Sequence, residues 1–156
     1  MSIEIGQNAP NFSLPSSDKE TVNLSDYQGK NLLVLFFPMA FTGVCTDELC
    51  SMRDNLSAYN QLNAEVVGIS VDSPFVLNKF KSELGLNFKL LSDFNKEAST
   101  AYDCLHETFA LGLKGVSKRS AFIVDKAGKV QYAEVKDVPS ELPDFEAIQK
   151  KLAELN

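Results

Sequence analysis

An apolar run at residues 31–37, NLLVLFF, limits what this chain can fold into more than any other stretch. Because it does not alternate between apolar and polar residues, it predicts a strand buried on both faces, as at the centre of an α/β sheet. A segment with helical periodicity follows at residues 43–60, and a second apolar run, EVVGISVD, follows at residues 65–72. This order predicts a central strand, a helix and a second central strand.

Further elements are expected on both sides of this unit. Short strands at residues 12–14 and 21–23 predict an N-terminal β-hairpin, and residues 119–125 and 129–135 predict an antiparallel pair. The other predicted elements are a helix from Ser73-Pro74 to about residue 84, a short strand at 88–91, a short helix at 95–102 and a C-terminal helix at 143–155. Periodicity does not resolve residues 105–118. The sequence therefore predicts an α/β fold with a mixed central sheet, helices on both faces and an N-terminal β-hairpin.

Size and charge exclude several classes of protein. With 156 residues, 44% of them hydrophobic, and no linker-like stretch, the chain is expected to form a single domain over residues 1–156. A net charge of −6 argues against nucleic acid and anionic membrane surfaces as partners, because both would repel this protein. The apolar runs are too short to cross a bilayer and the N-terminus lacks the regions of a signal peptide, so a cytoplasmic location is expected.

Three cysteines, Cys45, Cys50 and Cys104, are too few and of the wrong parity for a disulfide scaffold. They are therefore core residues, metal ligands or reactive groups. Cys45 lies in the first turn of the predicted helix, where the helix dipole and unpaired N–H groups favour a thiolate. A buried structural cysteine is the alternative, because the same side of the helix is apolar and carries Cys45, Leu49, Met52, Leu56 and Tyr59.

The residues around Cys45 favour the reactive interpretation. Thr42 precedes it by three residues, and Pro38 ends the predicted strand. Singly, these two residues indicate a helix cap and a strand terminator. Together with Cys45 they form PxxxTxxC after a buried strand, which resembles the active-site signature of the peroxiredoxins. The resemblance extends over nearly the whole chain, through GQNAPNFSLP, LLVLFFP, ELCSMRD, VVGISVD and RSAFIVDKAGKVQY.

The bacterioferritin-comigratory-protein and alkyl-hydroperoxide-reductase-E branches are the members that the chain resembles most. This resemblance implies a thioredoxin-like fold and a thiol-dependent peroxidase that acts on hydrogen peroxide, alkyl hydroperoxides or peroxynitrite. It also implies that the enzyme uses no metal, haem or flavin and is reduced by a thioredoxin-like or other dithiol partner. Cys45 would be the peroxidatic cysteine, whose thiolate becomes a sulfenic acid.

The resemblance also implies roles for the neighbours of that cysteine. Arg119 corresponds to the arginine that stabilises the thiolate and the leaving oxygen, although an exposed surface arginine is the alternative. Glu48 resembles the glutamate that orients this arginine, or is a first-turn acid facing the helix dipole. The Thr42 hydroxyl and the backbone N–H groups at the helix start, including that of Val44, can hold a peroxide, while Pro38 shields the sulfur.

A sulfenic acid at Cys45 must be resolved by a second thiol. Cys50 is about 140° further around the helix and its Cα atom on the order of 8.6 Å away, beyond the roughly 7 Å limit for a disulfide. It lies on the polar helix face, where a free cysteine is unusual. The CxxxxC spacing resembles the comigratory-protein branch, which implies a Cys45–Cys50 disulfide that forms after the helix unwinds. Cys104 is the second candidate for the resolving cysteine, with a buried structural cysteine as the alternative.

Other interpretations are weaker. A disulfide exchanger would carry CxxC at the helix start, but residues 44–48 contain a single cysteine. A redox sensor or chaperone-like binding module could use the same cysteines without turnover. His106 forms no recognisable zinc spacing with the cysteines, so no metal site is expected and the histidine is expected at the surface or hydrogen-bonded. Monomers and homodimers are both expected from the resemblance, and the apolar segment at residues 39–41 suits either a dimer contact or the peroxide entrance.

Overall fold

The computed structural model describes residues 3–156. Within these residues the helices and strands follow each other in the order β1 (Ser13–Pro15), β2 (Thr21–Asn23), β3 (Asn31–Phe36), α1 (Gly43–Gln61), β4 (Ala64–Ser70), α2 (Pro74–Leu84), β5 (Lys89–Ser92), α3 (Glu97–Ala101), β6 (Leu105–His106), β7 (Val116–Ser117), β8 (Ser120–Val124), β9 (Val130–Val135) and α4 (Phe145–Glu154).

A five-stranded mixed sheet with the order β5-β4-β3-β8-β9 forms the centre of the molecule. The predicted central strand, β3, runs parallel to β4 and antiparallel to β8. The predicted hairpins are also present, since β1 pairs with β2 and β8 with β9 in antiparallel register. The α/β architecture with a mixed sheet and an N-terminal hairpin is therefore confirmed.

Apolar side chains form two cores, one on each face of this sheet. Successive residues of β3 alternate between them, because neighbouring side chains on a strand point to opposite faces. The first core lies under α1, α2 and α4 and includes Leu33, Leu35, Cys45, Leu49, Met52, Leu77, Phe80, Ile148 and Leu152. The second core lies under the N-terminal hairpin and α3 and includes Phe12, Leu14, Val22, Leu32, Val34, Phe36, Ala98, Tyr102 and Cys104. Helices cover both faces, as predicted.

The structure corrects the predicted elements in two places. The second central strand ends at Ser70 and not at Asp72, because the Ser70 hydroxyl bonds to the Asp72 carboxylate and backbone and turns the chain. Residues 105–118, where periodicity predicted no element, contain the two-residue strands β6 and β7, which pair with each other. Strands of two residues are too short to give a periodic pattern.

Strand pairing brings distant parts of the chain to one edge of the sheet. Helix α1 starts beyond the carboxyl end of β3. Because β8 runs antiparallel to β3 with Phe36 opposite Ser120, the residue before β8 lies at that same end. That residue is Arg119, 74 positions after Cys45 in the sequence.

Candidate active site

Cys45 lies in the first turn of α1, and its side chain is buried in the first core with 1% of its surface exposed. The bond from Thr46 N to the Thr42 carbonyl, 2.9 Å long, begins the helical hydrogen-bond ladder. The N–H groups of Val44 and Cys45 lie ahead of it and are free to bind an anion or a polar ligand. The sulfur therefore lies at the positive end of the helix dipole, in a site from which water is largely excluded.

Arg119 is buried against Cys45, with 1% of its surface exposed. Its Nη2 donates a hydrogen bond of 3.2 Å to Cys45 Sγ and one of 3.1 Å to the Pro139 carbonyl. Nε donates to the same carbonyl over 3.2 Å, and Nη1 donates to Glu48 Oε1 over 2.6 Å. These contacts fix the guanidinium plane on three sides, and the alternative of an exposed surface arginine is wrong.

Glu48 is fully buried and pairs with Arg119. Burial raises the pKa of Glu48 to about 7, while the charge and hydrogen bond of Arg119 act in the opposite direction. Burial also disfavours the charged form of Arg119, yet Glu48 and Cys45 together raise its pKa above the ordinary value. Glu48 Oε2 has no hydrogen-bond partner among the described residues. The side chain thus faces the active-site arginine and is more than a first-turn acid at the helix surface.

Thr42 occupies the N-cap position of α1, but its hydroxyl does not cap the helix. Instead, Oγ1 donates a hydrogen bond of 2.7 Å to the Met39 carbonyl. The donated proton leaves the lone pairs of Oγ1 available to accept a hydrogen bond from a ligand. β3 ends at Phe36, and Pro38 is buried two residues beyond it, not at the strand end itself as the sequence predicted.

The turn at residues 39–42 has a strained backbone. Phe41 has a φ of 67°, in the left-handed region that costs a residue other than glycine roughly 1–2 kcal/mol. The residue is 51% exposed, and its ring packs on Phe80 with a centroid separation of 5.0 Å. Ala40 is buried, and Met39 is half-buried. Phe41 is therefore the most exposed apolar residue of this segment.

Comparison with known proteins identifies the family. Residues 5–133 match the AhpC/TSA family. Peroxiredoxin Bcp of Escherichia coli is 38% identical over 132 residues, covering 83% of this chain and 84% of that protein. Alkyl hydroperoxide reductase E of Mycobacterium bovis is 36% identical over 145 residues, covering 91% of each. The chain belongs to the peroxiredoxins of the AhpC/TSA family.

A solved structure agrees with this assignment. The crystal structure of a peroxiredoxin-like protein from Aquifex aeolicus has a TM-score of 0.88 at 25% identity, covering 100% of this chain and 90% of that one. The thioredoxin-like fold expected from the sequence is thereby confirmed, as is the similarity to the Bcp and alkyl hydroperoxide reductase E branches. This peroxiredoxin is an oxidoreductase.

The other two cysteines of this peroxiredoxin lie in different environments. Cys50 is half-buried on α1, and α1 is continuous from Gly43 to Gln61, so the helix is wound between Cys45 and Cys50. Cys104 is completely buried in the second core, on the opposite face of the sheet from Cys45. Burial raises the pKa of the Cys104 thiol to about 12. All three thiols are free, and the fold brings neither Cys50 nor Cys104 into disulfide contact with Cys45.

His106 departs from expectation because it is buried, with 7% of its surface exposed, and its Nε2 has no partner among the described residues. Burial lowers its pKa, so the neutral imidazole is favoured. Residues 3–156 contain no group of three or more His, Cys, Asp or Glu side chains that could hold a metal ion. None of the helices within the same residues combines the length and apolarity that a bilayer span needs.

Sequence reasoning missed two groups around the site. The Pro139 carbonyl accepts two hydrogen bonds from Arg119, and backbone contacts of this kind leave no signal in residue type. Asp72 Oδ2 accepts a hydrogen bond from Ala40 N, 2.8 Å away, within the strained turn. A signal existed for Asp72, because an acid just beyond a parallel strand lies at the edge of the sheet where sites form.

Proposed function

We propose that this peroxiredoxin reduces hydrogen peroxide and organic hydroperoxides with Cys45 as its peroxidatic cysteine. The observation that supports this most directly is the hydrogen bond from Arg119 Nη2 to Cys45 Sγ, 3.2 Å long, in a buried site at a helix start. A fixed cation and the helix dipole both favour the thiolate, which is the nucleophilic form of cysteine. Family membership supports thiol peroxidase chemistry in general.

In the first step the Cys45 thiolate attacks one oxygen of the peroxide. The sulfur–oxygen bond forms as the oxygen–oxygen bond breaks, and the second oxygen leaves as hydroxide or alkoxide and takes up a proton. Arg119 is placed to stabilise the sulfur and the charge that develops on the leaving oxygen. The N–H groups of Val44 and Cys45 and the lone pairs of Thr42 Oγ1 hold the peroxide, while Pro38 keeps water away.

In the second step Cys50 resolves the sulfenic acid. Its thiolate attacks Cys45 Sγ, a sulfur–sulfur bond forms, and the sulfenic oxygen leaves as water after protonation. Wound helix geometry keeps the two Cα atoms about 8.6 Å apart, so α1 must unwind locally before this bond can form. Half-buried Cys50 on the continuous helix supports this choice over Cys104, which lies across the sheet.

A dithiol reductant, such as a thioredoxin-like protein, would then return both cysteines to thiols and close the cycle. The disulfide is therefore transient and not structural. We place the enzyme in the cytoplasm, where thiols are kept reduced, because the proposed cycle depends on free thiols and a dithiol reductant. Its cellular work would be to limit peroxide and maintain the redox balance of the cell.

Removal of the peroxidatic sulfur tests the first step. Cys45→Ser should abolish peroxide consumption in an assay with excess dithiothreitol or reduced thioredoxin, because no other sulfur lies beside Arg119 among the described residues. The matched control is Cys104→Ser, which should consume peroxide at the wild-type rate. Retained consumption in Cys45→Ser would refute the proposal, and oxidation of the wild type without turnover would favour a redox sensor.

Removal of Cys50 tests the second step. After peroxide treatment without reductant, Cys50→Ser should accumulate sulfenic and then sulfinic acid at Cys45, because no thiol reaches the oxidised sulfur. Dimedone trapping and intact mass measure both products. Detection of an intramolecular disulfide at Cys45 in this variant would show that Cys50 is not the resolving cysteine.

A further inference from the structure

We infer that Asp72 is a positioning residue for the peroxide step, and that its carboxylate holds the strained turn that carries Thr42. This inference rests on the proposed function of Cys45 and adds a residue that makes no contact with the sulfur. Asp72 follows β4, whereas the turn follows β3, and 32 positions separate Asp72 from Ala40. The two segments meet because β3 and β4 run parallel and end at the same edge of the sheet.

Hydrogen bonds from two strand ends hold Asp72 in a fixed position. Asp72 Oδ2 accepts a hydrogen bond from Ser70 Oγ, 2.6 Å away, and the Asp72 carbonyl accepts one from Ser92 Oγ, also 2.6 Å away. Ser70 and Ser92 are the buried last residues of β4 and β5. Two strand ends therefore hold Asp72, and Oδ2 accepts the Ala40 N–H over 2.8 Å from a rigid position.

The turn needs such an anchor because its backbone is strained. Phe41 has a φ of 67°, and a residue with a β-carbon stays in that region only where its surroundings determine it. The restraint on its N-terminal side is the bond from Ala40 N to Asp72, and the restraint on its C-terminal side is the bond from Thr42 Oγ1 to the Met39 carbonyl. Loss of the first restraint would let Phe41 relax and move Thr42, which is the next residue.

A small displacement of Thr42 affects the reaction with peroxide but does not change the charge on the sulfur. Thr42 and the N–H groups after it contact the peroxide in the proposed mechanism, so their displacement removes alignment of the oxygen–oxygen bond with Cys45. Arg119 is held separately by Glu48 and the Pro139 carbonyl and keeps its hydrogen bond to the sulfur. Asp72 should therefore affect the reaction with peroxide and not the reaction of the thiolate with a simple alkylating agent.

The experiment compares Asp72→Ala with Asp93→Ala in the full chain, because alanine removes the acceptor oxygens that asparagine would keep. Asp93 is a matched control, because it lies just beyond β5 and accepts two backbone N–H groups, those of Ala98 and Ser99 in α3, away from the turn. Sulfenic acid formation with hydrogen peroxide should be about 100-fold slower in Asp72→Ala and unchanged in Asp93→Ala. Alkylation of Cys45 by iodoacetamide, read by peptide mass, should be unchanged in both variants.

A second pair of variants tests the link to strain. Glycine adopts the left-handed region freely, so in a Phe41→Gly background the added Asp72→Ala change should slow sulfenic acid formation by less than about tenfold. Wild-type peroxide rates in Asp72→Ala, equal losses of peroxide and iodoacetamide reactivity, or the same loss in both backgrounds would each overturn the inference. These outcomes leave the proposed function standing, which fails only if Cys45→Ser still consumes peroxide or the wild type does not turn over.

Discussion

The Arg119 guanidinium lies between two groups that can both carry negative charge, Cys45 and Glu48. Both neighbours are buried, so neither charge is screened by water. Removing one partner of such a buried pair costs roughly 3–5 kcal/mol, because the remaining charge is left without compensation. The Arg119 cation therefore interacts with both the Cys45 sulfur and the Glu48 carboxylate. The protonation state of Glu48 determines how much of the Arg119 field acts on the sulfur.

The pH dependence of stability should report the protonation of Glu48. Its pKa is raised by burial to about 7 from an ordinary 4.5, so between these values the folded protein binds more protons than the unfolded chain. The contribution of this group to the unfolding free energy is complete below about pH 4.5 and is lost as the pH rises through about 7. Glu48→Gln removes the titration, and its urea midpoint should fall less between about pH 5 and pH 8 than that of the wild type.

The control for this prediction is Glu20→Gln, which changes an exposed acid in the N-terminal hairpin loop. It should keep the wild-type difference between the two midpoints. An identical pH dependence in Glu48→Gln and the wild type would show that Glu48 does not titrate in this range.

Replacing Arg119 tests the fixed geometry of the guanidinium. Lysine keeps the charge, but its single ammonium cannot reach Cys45, Glu48 and the Pro139 carbonyl together. Arg119→Lys should therefore slow sulfenic acid formation by about 100- to 1,000-fold, measured by competition with a peroxidase of known rate. Arg53→Lys, the same change at a partly exposed site, should leave this rate unchanged, and equal rates in Arg119→Lys and the wild type would contradict a need for the guanidinium.

At the scale of an element, the proposed cycle requires α1 to serve two steps with opposite requirements. Its first turns hold Cys45 and Glu48 against the first core and Arg119, which requires a wound helix. From Arg53 onward the helix is tied to neighbouring segments. Arg53 Nη1 donates to the Leu84 carbonyl over 2.5 Å, and Asn87 Nδ2 donates to the Arg53 carbonyl over 3.3 Å. These two bonds mark the position at which unwinding should stop.

Hydrogen exchange of the oxidised protein tests this boundary. In the Cys45–Cys50 disulfide form, amides 57–61 should stay protected, because their carbonyl partners lie at or beyond Arg53, while amides 46–52 should exchange rapidly. Arg53→Gln should extend rapid exchange past residue 56. Asp54→Asn removes only the exposed pair with Arg53 and should behave like the wild type. Uniform loss of protection along α1 in the wild-type disulfide form would show that Arg53 is no boundary.

At the scale of the whole molecule, the central sheet separates Cys45 from Cys104, which the sequence left as the rival of Cys50 for the role of resolving cysteine. Cys45 belongs to the first core and Cys104 to the second, so the β3 and β8 backbones lie between them. A disulfide between these thiols would require the core to open, whereas a Cys45–Cys50 disulfide requires only part of one helix to unwind. The topology thus favours the local change.

Peptide mapping of peroxide-treated protein tests this consequence of the topology. Cys104→Ser should form the Cys45–Cys50 disulfide at the wild-type rate, because the change lies on the other face of the sheet. The Cys104 thiol should resist alkylation in the native wild type, since burial raises its pKa to about 12. A peptide that links Cys45 to Cys104 would contradict both expectations.

Local patterns in the sequence predicted the parts of the fold that depend on neighbouring residues. The apolar run of β3, the helical period of α1 and the turn between β8 and β9 each act over a few positions, so their elements were predicted within a residue or two. The spacing of Pro38, Thr42 and Cys45, through its resemblance to the peroxiredoxin signature, likewise indicated Cys45 as the candidate peroxidatic cysteine at the start of a helix. These features are properties of a short segment and need no knowledge of the rest of the chain.

Tertiary structure alone decided the contacts that join distant segments. The bond between Ala40 and Asp72 spans 32 positions, and that between Cys45 and Arg119 spans 74. Such contacts follow from strand order and register, which bring the ends of β3, β4 and β8 to one edge of the sheet. This strand arrangement produces the burial of Arg119, the contact between Asp72 and the turn at residues 39–42, and the separation of Cys104 from Cys45. The sequence by itself indicated Cys45 as a candidate reactive cysteine, and the packing of the sheet determined which groups surround it.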